Sequence, residues 1–154
     1  MSLAPNPRAL LQQEIRSRTG LDEAMIERVV HGFYARVRAD ALLGPVFAAR
    51  IAAADWPAHL ERMAAFWSSV ALMSGRYHGQ PMEAHATLPV DAAHFDRWLE
   101  LFRETAEGLV PPAAAEHLVE RAERIATSLE TGIGLHQGRD LGRGGFRLPG
   151  APRS

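Results

Sequence analysis

The sequence predicts an all-α domain. Apolar residues recur at helical spacing between residues 22 and 131, no stretch sustains an alternation of period two, and no Asn-Gly or Asp-Gly pair marks a hairpin. A first helix is expected from about Asp22 to Ala39, where Met25, Ile26, Val29, Val30, Phe33, Tyr34 and Val37 form one broad stripe behind a Thr19-x-x-Asp22 capping pattern. Gly44-Pro45 calls for a turn. The next helix starts at Asp55, a good N-cap residue, tolerates Pro57 in its first turn and continues to about Met73. Ser74-Gly75-Arg76-Tyr77-His78-Gly79-Gln80-Pro81 reads as a loop, and Met82 to Thr87, caught between Pro81 and Pro89, has room for one or two helical turns. Asp91 caps a helix to about Leu109 whose stripe is Phe95, Trp98, Leu99, Phe102 and Ala106. Pro111-Pro112 ends it, and a last helix runs from about Ala113 to Thr131 with Leu118, Val119, Ala122, Ile125, Ala126 and Leu129 inward.

With 154 residues, 47 % hydrophobic and 23 % charged, the chain has the size and balance of one globular domain. A net charge of −1 provides no basic field for a phosphate backbone or an anionic lipid surface, so neither nucleic acid nor membrane is expected as a partner. The absence of cysteine excludes disulfides, thiolate metal sites and covalent haem attachment; any metal must be held by His, Asp, Glu or Tyr. The least polar stretch, Met63 to Met73, is far short of the roughly 20 residues that span a bilayer, and the N-terminus lacks the basic and apolar regions of a secretory signal, which makes the cytoplasm the expected location. Residues 1–20 read as an N-terminal extension, 21–132 as the helical domain, and 133–154 as a flexible tail rich in Gly, Arg and Pro.

Seven histidines are candidate ligands: His31, His59, His78, His85, His94, His117 and His136. Neither Glu-x-x-His pairs nor His-Glu-x-x-His occurs, and a nucleophile elbow, a P-loop and a dinucleotide fingerprint are also missing. The nearest spacing, Asp91-x-x-His94, is better explained by Asp91 as a helix cap. His85, on the shortest helical piece and flanked by prolines, either fixes an imidazole towards a cavity or packs a turn. His59 heads the row His59, Met63, Phe66, Val70, and is either a polar ring over an apolar face or solvated surface. Tyr34 and Trp98 bring a hydroxyl and an indole N–H into apolar stripes, where each needs a backbone carbonyl or a ligand as partner.

Together these residues resemble the truncated haemoglobins, and among them the third group. The resemblance rests on Phe33-Tyr34-x-x-Val37-Arg38-x-Asp40, Leu43-Gly44-Pro45-Val46-Phe47, Asp55-Trp56-Pro57-x-His59, Phe66-Trp67-Ser68-Ser69, Tyr77-His78-Gly79-Gln80-Pro81, His85-x-x-Leu88-Pro89 and His94-Phe95-x-x-Trp98-x-x-Leu101-Phe102. It covers roughly residues 21–131 in unbroken order. The glycine pairs of the first group are missing, and Phe47 stands where the second group more often has Tyr.

The resemblance implies a two-over-two helical sandwich and a non-covalent b-type haem with His85 as the iron ligand. It implies Tyr34 and Trp98 as distal hydrogen-bond donors and His59 at the distal gate. Met63 would roof the iron, Phe47 and Trp67 would pack the porphyrin, Arg62 would pair with a propionate or lie on a solvated face, and Tyr77 is a weaker pocket candidate. The implied function is binding of dioxygen and related diatomics such as nitric oxide and carbon monoxide. The alternatives are nitric oxide dioxygenation or peroxidase-like chemistry with a reductase as partner, and a haem-free helical interaction domain whose histidines are structural.

Overall fold

Asp22 begins the longest predicted stripe as expected: its carboxylate accepts the Met25 N–H at 2.8 Å, and the helix behind it buries Ile26, Val29, Val30, Phe33, Tyr34 and Val37. In the computed structural model, which describes residues 6–77, 79 and 89–136, the elements are α1 (Pro7–Thr19), α2 (Glu23–Ala39), α3 (Gly44–Arg50), a 3₁₀ turn (Ala53–Asp55), α4 (Trp56–Leu72), α5 (Ala92–Leu109) and α6 (Pro112–His136). No strand occurs among the described residues. The expected short helix at Met82–Thr87 lies outside them, as do residues 137–154.

Helix α1 was not foreseen, because only Ile15 and Thr19 of its thirteen residues are buried and its apolar pattern is correspondingly weak. It forms on local signals: the Asn6 side chain accepts the Ala9 N–H at 2.7 Å, Pro7 takes the first turn, and Gly20 closes the helix in the left-handed region at φ 70°. The expected role of Thr19 as a cap of α2 is corrected: its hydroxyl donates back to Ile15 O at 2.6 Å and accepts the Leu21 N–H at 3.1 Å. Arg8 and Gln12 anchor α1 on α4 by donating to the Met73 carbonyl at 2.6–3.0 Å.

Two further expectations change. Asp55 precedes α4 but makes no side-chain capping bond, because its backbone closes the 3₁₀ turn in an α-like conformation. Gly44-Pro45 opens helix α3, and the turn before it is made by Asp40, whose Oδ2 accepts the N–H groups of Leu42 and Leu43 at 3.1 and 2.9 Å. Arg97 donates to Asp40 Oδ1 at 2.7 Å from α5. Asp91 caps α5, with His94 completing a capping box. Helix α6 passes Thr131 and continues to His136, drawn on by Ile133, which is fully buried beside Val90, Phe95 and Ala126.

The core lies where α2, α4, α5 and α6 meet, and its centre is aromatic. Trp67 and Phe102 stack at 4.7 Å and 22°, Trp98 and Phe102 at 5.7 Å and 16°, while Phe33 meets Phe102 edge-on at 5.2 Å. His117 is a buried histidine of this core. Its Nε2 lies 2.9 Å from Ala71 O and so donates, which leaves Nδ1 to accept from Arg18 at 3.4 Å. Burial holds its pKa below the ordinary imidazole value, only partly offset by the Ala71 bond.

Two outcomes follow from this packing. A Cβ at Gly44 would lie 2.9 Å from the Arg38 carbonyl oxygen, so Gly44→Ala is expected to cost about 1–3 kcal/mol in urea unfolding. Because the unfolded chain takes up a proton that folded His117 resists, its contribution is complete above about pH 6.5 and shrinks as pH falls through that value. Unfolding midpoints measured from pH 7 downwards should therefore fall more steeply for wild type than for His117→Gln.

Candidate functional site

Five helices border one cavity of about 400 Å³. Tyr34 enters it from α2; Val46, Phe47 and Arg50 from α3; His59, Arg62, Met63, Phe66 and Trp67 from α4; His94, Phe95 and Trp98 from α5; and Ile125, Ala126 and Leu129 from α6. Ile51, Tyr77 and Val90 complete the lining among the described residues. The spacing explains the convergence, since His59, Met63 and Phe66 occupy one face of α4, and Phe47 and Arg50 stand one turn apart on α3.

Eight residues singled out from the sequence, Tyr34, Phe47, His59, Arg62, Met63, Trp67, Tyr77 and Trp98, line this single cavity. His85 lies outside the described residues. Arg50 has no role in the sequence reading; outside the family pattern, Phe66 enters it only in the row below His59, and His94 only as one of seven candidate ligands. The signal for Arg50 is its position one turn after Phe47. His94 belongs to both the cavity and the helix cap, with Nδ1 3.0 Å from Asp91 Oδ1 and 3.2 Å from the Asp91 backbone nitrogen.

Ring contacts hold the polar members in place. Tyr34 meets Phe33 at 4.9 Å, His59 at 5.3 Å and Phe47 at 5.9 Å, all edge-on. Trp98 lies against Phe102 and receives the edge of Phe33 at 5.5 Å. Tyr77 packs edge-on to Phe66 at 5.1 Å, while its backbone N–H donates to Ser69 Oγ at 2.8 Å. The chain leading to Tyr77 is pinned by Glu23, which takes the Arg76 guanidinium at 2.6 Å and the Ser68 hydroxyl at 2.7 Å.

Arg50 and Arg62 border the cavity, and no carboxylate is among its described lining residues. Burial pushes the Tyr34 phenol well above the ordinary tyrosine pKa, with no opposing cause, so the hydroxyl stays protonated and available as a donor. A mostly apolar slot with a few convergent polar groups is the usual form of a small-molecule or cofactor site.

Comparison with known proteins decides the family. The model of the bacterial-like globins matches residues 17–131. The group 3 truncated hemoglobin ctb of Campylobacter jejuni is 31 % identical over 113 residues, which span 71 % of this chain and 89 % of that protein. The crystal structure of group III truncated hemoglobin from Campylobacter jejuni matches with a TM-score of 0.66 at 30 % identity, covering 71 % of this chain and 88 % of the other. The chain belongs to the globin family. Its similarity within the globins is to the group III truncated hemoglobins, and its fold is the helical sandwich of that branch. Membership implies a haem cofactor and small gaseous ligands such as oxygen. No helix among the described residues of this globin is long and apolar enough to cross a membrane.

The protonation of Tyr34 is directly measurable, because the globin has two tyrosines. In a Tyr77→Phe variant, ultraviolet titration is expected to show no phenolate at about pH 10, where a free tyrosine is half ionised. The signal should appear only as the protein unfolds in alkali.

Proposed function

We propose that the cavity holds a b-type haem ligated by His85, and that the protein binds dioxygen and related diatomic molecules under hydrogen bonds donated by Tyr34 and Trp98. The observation carrying this reading is that a phenol, an indole and the imidazole of His59 share one cavity whose remaining walls are mostly aromatic and aliphatic. When bound, haem supplies an iron centre that takes up small diatomic molecules. The residues present fit such a group. Phe47, Met63 and Trp67 offer apolar faces to a flat ring system, and the guanidinium groups of Arg50 and Arg62 suit carboxylates at its edge.

Each polar side chain then has a defined task. Tyr34 remains a neutral donor because burial opposes its ionisation. Trp98 is held by its stack on Phe102 and Trp67, so its N–H needs little reordering when a ligand arrives. Donors in a cavity poor in water act on a ligand that draws electron density more strongly than they would in bulk solvent. On this reading His59, in edge contact with Tyr34, gates the entry of small molecules.

Optical spectra of the ferric, dithionite-reduced and CO-bound protein test the cofactor. Haem binding or the five-coordinate ferrous spectrum should depend on His85 and return to His85→Gly on addition of imidazole; a colourless protein that folds and takes up no haem overturns the reading. Tyr34→Phe and Trp98→Phe should each speed dioxygen release roughly five- to hundredfold, the equivalent of about 1–3 kcal/mol for a lost buried hydrogen bond. Unchanged release in both variants would remove the donors from the mechanism.

A further inference from the structure

Trp56 stands behind the cavity wall. It is 4 % exposed and is not among the residues that line the cavity, yet three of its ring neighbours are. His59 meets it edge-on at 5.2 Å and 85°, Tyr34 is tilted against it at 5.8 Å, and Phe47 lies at 6.3 Å. Its backbone is held firmly. Trp56 sits where the 3₁₀ turn passes into α4, its N–H bonded to Ala53 O and Pro57 following it. From the last turn of α2, the exposed Arg38 places its guanidinium carbon 4.5 Å from the Trp56 ring centroid. A guanidinium over an indole face is attracted by the ring quadrupole.

These contacts leave His59 between two rings. Trp56 is one helical turn before it on α4, where side chains three residues apart are neighbours, and Tyr34 faces it from α2. A swing of the imidazole would disturb these two edge contacts. We propose that Trp56, with Arg38 seated over its ring, is a positioning residue that holds His59 against Tyr34 and thereby sets the access of small ligands to the cavity. The inference rests on the reading of this cavity as the ligand site. It assigns a role to two residues outside the lining: a buried indole that braces the imidazole, and a surface cation that braces the indole.

The test uses the haem-loaded full chain and follows CO rebinding after photolysis in wild type, Trp56→Leu, Trp56→Phe, Arg38→Gln and Arg38→Lys, each with His59 present and with His59→Ala. Trp56→Leu should speed bimolecular association by about five- to tenfold, with Trp56→Phe close to wild type. Arg38→Gln, an exposed change that keeps the test open where Trp56→Leu lowers stability, should shift the rate in the same direction by less, and Arg38→Lys should restore it. In the His59→Ala background the Trp56→Leu step should alter the rate by less than about twofold, because the residue acts through the imidazole. An unchanged rate in Trp56→Leu, or an effect that persists in full without His59, overturns the proposal. A second readout needs no haem. The ring protons of His59, shifted in NMR spectra by the two neighbouring aromatic rings, should move towards free-histidine positions in Trp56→Leu, and resonances that stay in place overturn the positioning role. If the protein takes up no haem, the reading of the cavity fails, and the ring shifts alone decide the contact.

Discussion

Trp67, Trp98 and Phe102 lie nearly parallel within 4.7–6.4 Å of one another, and Phe33 closes the group edge-on. This cluster is the constraint on which the remaining structure depends, because its rings have two tasks. Phe33 and Phe102 are almost fully buried and join α2 to α5, while Trp67 and Trp98 reach the cavity from the same stack. The cavity wall is therefore an extension of the core and not a lining added to it. A change that loosens the stack alters stability and pocket shape together, since close-packed interiors transmit displacement instead of absorbing it.

A cavity of this size is a cost to a small domain, since its lining forgoes contacts that a filled core would make. The chain reduces that cost by using aromatic residues, which still touch one another around the open space. Tyr34 shows the balance: its ring contacts Phe33, Phe47, Trp56 and His59, while its hydroxyl remains the unusual feature in apolar surroundings. Helix α6 answers the same need, because its extension to His136 brings buried Ile133 to the side of the cavity that Leu129 and Ala126 line.

The parts legible in the sequence were those with strong periodicity or a recognisable pattern. Stripes in α2 and α5 announced themselves, and Asp22 and Asp91 act as caps as their chemistry suggests. Eight of the candidate residues share one cavity, and they could be named together because the family pattern joins aromatic and histidine positions that are far apart in the chain. Helix α1 was hidden by its weak apolar face, and its place depends on Arg8 and Gln12 reaching a carbonyl more than sixty residues away, which no local pattern encodes. Arg50 was obscured for another reason: Gly44-Pro45 signals a turn by composition, yet these two residues open a seven-residue helix whose preceding turn Asp40 anchors.

That anchor links distant parts of the site. Seven residues are too few for a helix to persist alone in water, so α3 must be held from outside. One carboxylate does this from its start: Asp40 accepts the Leu43 and Leu42 N–H groups on one oxygen and the Arg97 guanidinium on the other. Those backbone bonds, led by Leu43, and the Arg97 interaction hold its pKa below the ordinary carboxylate value. Arg97 is also the immediate neighbour of Trp98, so adjacent residues of α5 face in different directions, one tying down α3 and the next lining the cavity. The wall carrying Phe47 and Arg50 and the wall carrying Trp98 are thus fixed relative to each other by an ion pair outside the cavity. The pair is partly buried, with the Asp40 side chain only 6 % exposed, and it orients two backbone donors and the short helix they begin. The aromatic stack shapes the cavity from within, and this ion pair, outside the lining, sets how two of its walls meet.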